Sequence, residues 1–301
     1  MRHLTAALAA AALTLTTAAA WDPAPAPTPE PPPAVLMKVK PGSAKGSGKL
    51  TPVAGADRIV ALLGADPSCP ARVDIGLRSD AKKARYATMD VEIDRPLTAS
   101  RTMLTSYLPP GYEVRTKLLV TPPPGTAEGS YELRLRTPSQ TVKVPVEVVS
   151  VDSLDNGGNH ALRRPVTASS QHANANYPAC SIVDGDRSSS GWAGGNGWND
   201  ATSRSWPDTV AVELGGARQI SRVDLYTLDS ERYPAARYGL RDWDVQARVA
   251  GQWQTVAQVR GNTTGAVQSG FAAVTADAVR IVALASNGAN DYTRIVEVEV
   301  R

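Results

Sequence analysis

The sequence predicts an all-β protein made of two sandwich domains, and three observations carry that expectation. Apolar residues recur at every second position through both halves of the 301-residue chain, the period of a strand with one buried and one solvated face. No stretch sustains the 3.6-residue period of a long amphipathic helix. Composition breaks near residue 155: all eight lysines lie at or before Lys143, whereas five of the six tryptophans lie at or after Trp192. Halves of such different make-up read as separate domains, which the length also favours.

Two segments precede the first domain. Arg2 and His3, an apolar run from Leu4 to Leu15 and the small residues Ala18–Ala20 come in the order of a secretory signal, residues 1–20, cleaved near Ala20. The run is too short for a membrane span, and no cysteine follows it to carry a lipid, so the mature chain is expected to be secreted. Residues 21–33 (WDPAPAPTPEPPP) form a proline-rich linker, extended and semi-rigid. A net charge of +3 with no basic stripe gives no reason to expect nucleic acid. Cys69 and Cys180 fall in different halves. Export permits a disulfide, yet a lone bridge between domains needs Cα atoms within about 7 Å, so two separately buried thiols are the simpler expectation.

Residues 34–151 carry the strands of the first domain. Ala34–Lys40 reads as an opening strand, followed by the flexible turn Pro41–Lys49. Val73, Ile75 and Leu77 alternate with polar neighbours, as do Met89, Val91 and Ile93, then Val114, Thr116, Leu118 and Val120, then Tyr131, Leu133 and Leu135, and finally Val142, Val144, Val146 and Val148. Pro145 inside the last run points to an edge strand. Ile59–Leu63 fits either a strand or a short helical turn. The segment Leu108–Thr137 resembles the closing strands of bacterial immunoglobulin-like accessory domains, which implies an immunoglobulin-like β-sandwich acting as a spacer.

Residues 152–158 form a short linker, with the turn signal Asp155-Asn156-Gly157-Gly158, and 159–301 form the second domain. Here Val223 and Leu225, then Trp243, Val245 and Ala247, then Val279, Ile281 and Ala283, then Val296, Val298 and Val300 alternate in turn. The run VTASSQHANANYPACSIVDGDRSSSGWA (Val166–Ala193), followed in order by DTVAVELG, ISRVDLYTLD, DWDVQARVAGQWQTVAQV, AVRIVAL and RIVEVEV, resembles the discoidin domain, the coagulation factor V/VIII type C domain grouped with family 32 carbohydrate-binding modules. The resemblance implies a galactose-binding-like jelly-roll sandwich that holds its ligand in loops at one end.

It also implies a structural calcium site. Asp184 matches the side-chain ligand, Asp186 and Ser189 match positions that donate mainly through the backbone, and Glu297 matches the second carboxylate. Oxygens of these kinds suit a hard cation. The alternative is an Asp-Gly turn with Glu297 in solvent. Trp192 stands one residue further from Asp184 than the pattern has it, and serines replace its threonine.

A sugar site needs an aromatic face for the apolar side of a pyranose and polar groups for its hydroxyls. Trp192, Trp243 and Trp253 sit in positions that suit core packing. Trp198 and Trp206, with Asn199, lie among Gly, Asn and Asp in a loop and are the expected platform. Tyr233, Arg237 and Tyr238 in a second loop, and Asn287 and Asn290 in a third, are expected to complete it. Asp229 and Tyr238-Gly239 stand where galactose-binding members carry Arg and Asn-Gly, so a galactose preference does not carry over. Catalysis finds little support. Past the signal only His160 and His172 remain, no nucleophile elbow is present, and Glu297 with Glu299, at i and i+2, would project outward from one strand face. The expectation is a secreted, non-catalytic protein that binds glycans. The alternatives are an envelope or adhesion protein docking on a protein or membrane surface, and an accessory part of a glycoside hydrolase.

Overall fold

The computed structural model describes residues 34–38, 48–173, 177–288 and 292–301; residues 1–33, with the expected signal and linker, lie outside them. Ten strands build the first half: β1 (Val35–Lys38), β2 (Leu50–Ala54), β3 (Ile59–Leu63), β4 (Ala71–Ser79), β5 (Arg85–Ile93), β6 (Thr98–Ala99), β7 (Met103–Leu108), β8 (Tyr112–Thr121), β9 (Gly129–Arg136) and β10 (Thr141–Ser150). They make two sheets, β1-β8-β4-β2 with β6 on β8, and β3-β10-β9-β5-β7. The two-residue period sorts their side chains, so that Val73, Ile75 and Leu77, Met89 and Val91, and Val144, Val146 and Val148 meet in one core between the sheets.

Ile59–Leu63 is a strand, and it pairs parallel with β10 from Val146↔Ile59 to Ser150↔Leu63. β10 is therefore an inner strand, contrary to the edge that Pro145 suggests. Proline is tolerated because it stands one residue before the parallel ladder begins. Its cross-strand neighbour Glu132 turns its own backbone N–H and C=O to Asp94 instead.

The second half contains β11 (Val166–Ala168), β12 (Trp198–Asn199), β13 (Asp208–Thr227), β14 (Leu240–Val249), β15 (Gln252–Val259), β16 (Ala266–Ser286) and β17 (Arg294–Val300). The sheet order is β12-β17-β13-β16-β14-β15, with β11 on β13. β13 and β16 run for 20 and 21 residues. Register shifts between Glu213 and Arg218 and between Ile220 and Arg222 bend the pair, which lets it wrap one core that includes Trp198, Leu214, Ile220 and Trp243.

β17 is buried at every position. Its ladder with β13 steps from Tyr226↔Glu297 to Thr227↔Ile295, so Val296 is an extra residue. The bulge divides the strand: Ile295, Val298 and Val300 enter the main core, and Val296 joins a second cluster with Trp192 and Leu228. The simple alternation of Val296, Val298 and Val300 is corrected accordingly.

The halves are tied covalently. Cys69 and Cys180 form a disulfide with Cα atoms 6.1 Å apart, overturning the expectation of two separate thiols. The bridge closes because the β3–β4 turn reaches the short 3-10 helix Ala179–Val183, and Asp66 in that turn accepts the buried N–H of Val166 at 2.8 Å. Asp152, between the halves, accepts bonds from Arg164 and Arg218. Replacing both cysteines with alanine is expected to lower stability by about 2–4 kcal/mol, measured by denaturant unfolding under non-reducing conditions, whereas the wild type loses the same amount only when reduced.

Candidate functional site

One end of the second sandwich is drawn together by Thr227. Its buried hydroxyl donates to the Arg294 carbonyl at 2.7 Å and accepts the Leu240 N–H at 2.7 Å, joining the ends of β13, β14 and β17. Asn287, which sequence places among the ligand contacts, is buried here as a second clasp. Its amide donates to the carbonyls of Ala235 at 3.0 Å and Asn262 at 2.8 Å. Beneath the loops two buried aspartates grip Thr293: Asp200 accepts its N–H at 2.7 Å and Asp208 its hydroxyl at 2.8 Å. Burial pushes the Asp208 carboxyl up to about 6, and the Asp200 carboxylate adds to the shift. Burial also raises Asp200.

Above this base runs an arc of rings, half-buried except for the buried Trp192. Trp192 and Tyr177 lie 4.8 Å apart, Tyr177 meets His172 edge-on at 6.2 Å, and His172 meets Tyr292 at 5.7 Å. The buried Arg294 guanidinium lies 5.5 Å from the Tyr292 ring and 5.9 Å from the Tyr238 ring, and Tyr238 meets Tyr233 edge-on at 5.3 Å. The two ends of the arc, Trp192 and Tyr233, line a hollow of about 550 Å³ together with Ser189, Ser190, Ser230 and Arg232 among others. The Asp229 N–H donates to the Ser189 hydroxyl at 2.9 Å, which fixes the approach of the two loops that wall it. A larger cleft of about 1160 Å³ separates the two halves, but no aromatic ring lines it among the described residues. The smaller hollow has both the rings and the polar rim that a sugar requires.

Tyr233, Arg237 and Tyr238 thus lie together on the arc's second loop. Trp198 and Asn199 do not belong to it. Trp198 is 0% exposed in the core, its indole N–H donating to the Ser170 carbonyl at 2.9 Å. The cause is that residues 198–199 are a strand on β17, not a loop. Gly197 admits that close approach: at φ +106° a Cβ there would stand 2.6 Å from the Ile295 carbonyl. Trp206 packs half-buried against the same core. Asn290 lies outside the described residues. Trp253, expected in the core, is half-buried on the outer sheet face, with the Arg280 guanidinium 4.4 Å and that of Arg248 5.7 Å from its centroid. Reasoning from sequence missed Tyr177, His172 and Tyr292; the signal available was their place in Asn- and Ala-rich segments between the regular elements.

Residues 165–298 match the family model of the F5/8 type C domain. This segment is a discoidin domain. A sialidase of Micromonospora viridifaciens is 28% identical over 198 residues, which is 64% of this chain and 29% of that protein, so the chain spans under a third of that relative's length. Among solved structures, the chitosan-binding module 1 of a chitosanase/glucanase from Paenibacillus sp. IK-5 is 24% identical, covering 48% of this chain and 98% of the other with a TM-score of 0.38. A Streptococcus pneumoniae fucose-binding module is 22% identical, covering 49% and 98% with a TM-score of 0.40.

The discoidin domain also carries a pair of facing carboxylates. Glu297 is 0% exposed, which corrects the outward-facing position expected for it and for the equally buried Glu299. The Arg187 loop covers both, its guanidinium holding Glu299 at 2.6 Å. Glu297 Oε1 accepts the Gly185 N–H at 3.1 Å, whereas Oε2 is buried with no hydrogen-bond partner. Burial pushes Glu297 up to about 9, with the Asp184 carboxylate contributing, and burial raises Asp184 as well. Asp186 Oδ1 accepts the Ser188 N–H, and the Ser189 hydroxyl is taken by Asp229. Among the described residues no group of three or more His, Cys, Asp or Glu gathers.

The Asp208 carboxyl generates a pH prediction. Its native proton is held more tightly than in the unfolded chain, so its contribution to stability is full below about 4 and is lost as pH rises through about 6. Asp208→Asn should remove that segment of the profile, flattening denaturant stability between about pH 4 and 6 relative to the wild type.

Proposed function

We propose that this is a secreted, non-catalytic carbohydrate-binding protein whose discoidin domain grips glycans in the hollow between Trp192 and Tyr233. The arc of rings carries the reading. Trp192 and Tyr233 face the hollow beside Ser189, Ser190 and Ser230, and Tyr177, His172, Tyr292 and Tyr238 continue the ring contacts from them, which is the mixture that recognises pyranose faces and hydroxyls together. In the first half, the arrangements β2-β4-β8 and β5-β9-β10 follow the order of an immunoglobulin-like sandwich, and we assign it a spacer role. The partial alignment with a sialidase favours a second reading, an accessory unit acting beside a glycosidase. The covered state of Glu297 and Glu299 argues against that pair as glycosidase carboxylates.

A calcium ion fits the Asp184–Glu297 pair. The orphaned buried oxygen of Glu297 and the mutual repulsion of the two carboxylates are features that a divalent cation would relieve. Asp184 and Glu297 would hold it with their side chains, and Asp186 and Ser189 with backbone carbonyls, since their side chains are engaged within the loop. When bound, the ion supplies charge neutralisation between the last strand and the Asp184 loop.

Two measurements test these assignments. Tyr233→Ala with Tyr292→Ala should weaken binding to the best ligand on a glycan array by about tenfold or more with the thermal midpoint retained; unchanged affinity removes the arc as the site. Millimolar calcium should raise the thermal midpoint of the wild type but not of Asp184→Asn with Glu297→Gln, and an equal response of the two proteins removes the ion from this position.

A further inference from the structure

The first sandwich carries a surface that a spacer does not require. Of the seven large apolar side chains exposed among the described residues, three cluster on the paired strands β5 and β7: Tyr86 at 79%, Met103 at 55% and Tyr107 at 51%. They share the outer face of the β3-β10-β9-β5-β7 sheet, at the end where β7 is the edge strand. Tyr86 stands directly across from Tyr107, with ring centroids 5.3 Å apart, and the next outward pair is Thr88 and Thr105, whose hydroxyls are 3.0 Å apart. Met103 closes the row opposite Asp90. The result is a short ladder of rings, set at 61° to each other, followed by hydroxyls on a continuously paired pair of strands.

Its charge environment narrows the partner. Along the neighbouring strand the charges cancel among themselves: Arg136 pairs with Glu92, Arg134 with Asp94 and Glu132, and Lys143 with Glu132. Nothing in the row attracts phosphate or an acidic membrane; of the nearest cations in sequence, Arg85 turns its guanidinium to the Gly48 carbonyl at 2.7 Å, and Arg101 lies outside β7, two residues before Met103. Its size argues as well. Two tyrosines and a methionine expose on the order of 400 Å², about half of the roughly 800 Å² that each partner contributes to a stable protein interface. An exposed ring pair beside hydroxyls suits two or three sugar units instead, rings against pyranose faces and threonines against their hydroxyls. We propose that the outer β5–β7 face, centred on Tyr86 and Tyr107, is a second glycan-binding surface that takes an uncharged polysaccharide chain. The inference is independent of the loop-end site in the discoidin domain.

The test uses the full chain in five forms: wild type, Tyr86→Ala with Tyr107→Ala, Tyr233→Ala with Tyr292→Ala, all four of these substitutions together, and Tyr86→Phe with Tyr107→Phe added to the loop-end pair. Each is sedimented with microcrystalline cellulose, insoluble xylan and chitin at about 0.1 M and about 1 M NaCl, which separates screened from unscreened contacts. The variant lacking the loop-end tyrosines should retain binding to at least one of these polysaccharides. Adding Tyr86→Ala and Tyr107→Ala should then cut that binding by about tenfold or more at both salt concentrations, with the thermal midpoint unchanged because both rings are exposed. Tyr86→Phe with Tyr107→Phe, which keeps the rings, should retain most of it. Absence of residual binding in the loop-end variant, equal binding by it and the fourfold variant, or binding abolished by high salt would each overturn the proposal. So would a dimer in sedimentation velocity that disappears with the Tyr86 and Tyr107 substitutions. Failure of the loop-end reading shows separately, as wild-type binding by Tyr233→Ala with Tyr292→Ala.

Discussion

A single extra residue in the last strand governs the second domain. The bulge at Val296 turns β17 over partway along its length, so one strand serves three environments. Ile295, Val298 and Val300 fill the barrel core, Val296 supports Trp192, and Glu297 and Glu299 are carried under the Arg187 loop. Without the bulge, strict alternation would put Ile295 on the face of Glu297 and Glu299 and would remove Val296 from beneath Trp192. The strand's first residue, Arg294, would then lose its place between Tyr292 and Tyr238. Register here decides both the carboxylate pair and the aromatic arc.

Alternation in the sequence revealed the strands well, because a half-buried strand has no other way to arrange its side chains. Val73–Leu77, Met89–Val91 and Trp243–Ala247 sit as their period predicts. The failures share a physical cause, which is that local composition does not report long-range pairing. Trp198 lies among glycines and asparagines, the composition of a loop, yet it pairs with Ile295, nearly a hundred residues away. Pro145 signals an edge by its own chemistry, but the missing donor falls where no ladder needs it. The disulfide was invisible for the same reason, since nothing near Cys69 or Cys180 announces that their loops meet. Of the loop-end residues, Tyr233, Arg237 and Tyr238 were legible because one loop holds all three. His172, Tyr177 and Tyr292 come from two other loops, and only the fold assembles them.

Buried acids concentrate at this end. Asp200 and Asp208 beneath the arc, and Glu297 behind Trp192, are each pushed upward by burial. Carboxylates in such places oppose folding unless they perform some other task. The first two hold Thr293, and through it the backbone between Tyr292 and Arg294. Part of the domain's stability is thereby given up for a fixed loop geometry, a common arrangement where a site must be rigid.

The disulfide and the Asp66–Val166 bond have a consequence for reach. A chain of two domains joined by a simple tether samples many separations, and a second contact to the same polymer must then overcome that freedom at the moment of binding. Here the segment between the sandwiches is pinned through Asp152, and the halves are held by covalent and hydrogen-bonded ties. The orientational entropy is surrendered when the protein folds, before any ligand arrives. The proposed β5–β7 face and the loop end are thereby kept within a range of separations narrower than a simple tether allows. A polymer with matching spacing meets a high effective concentration of the second surface, and one that cannot span it gains nothing from the second domain.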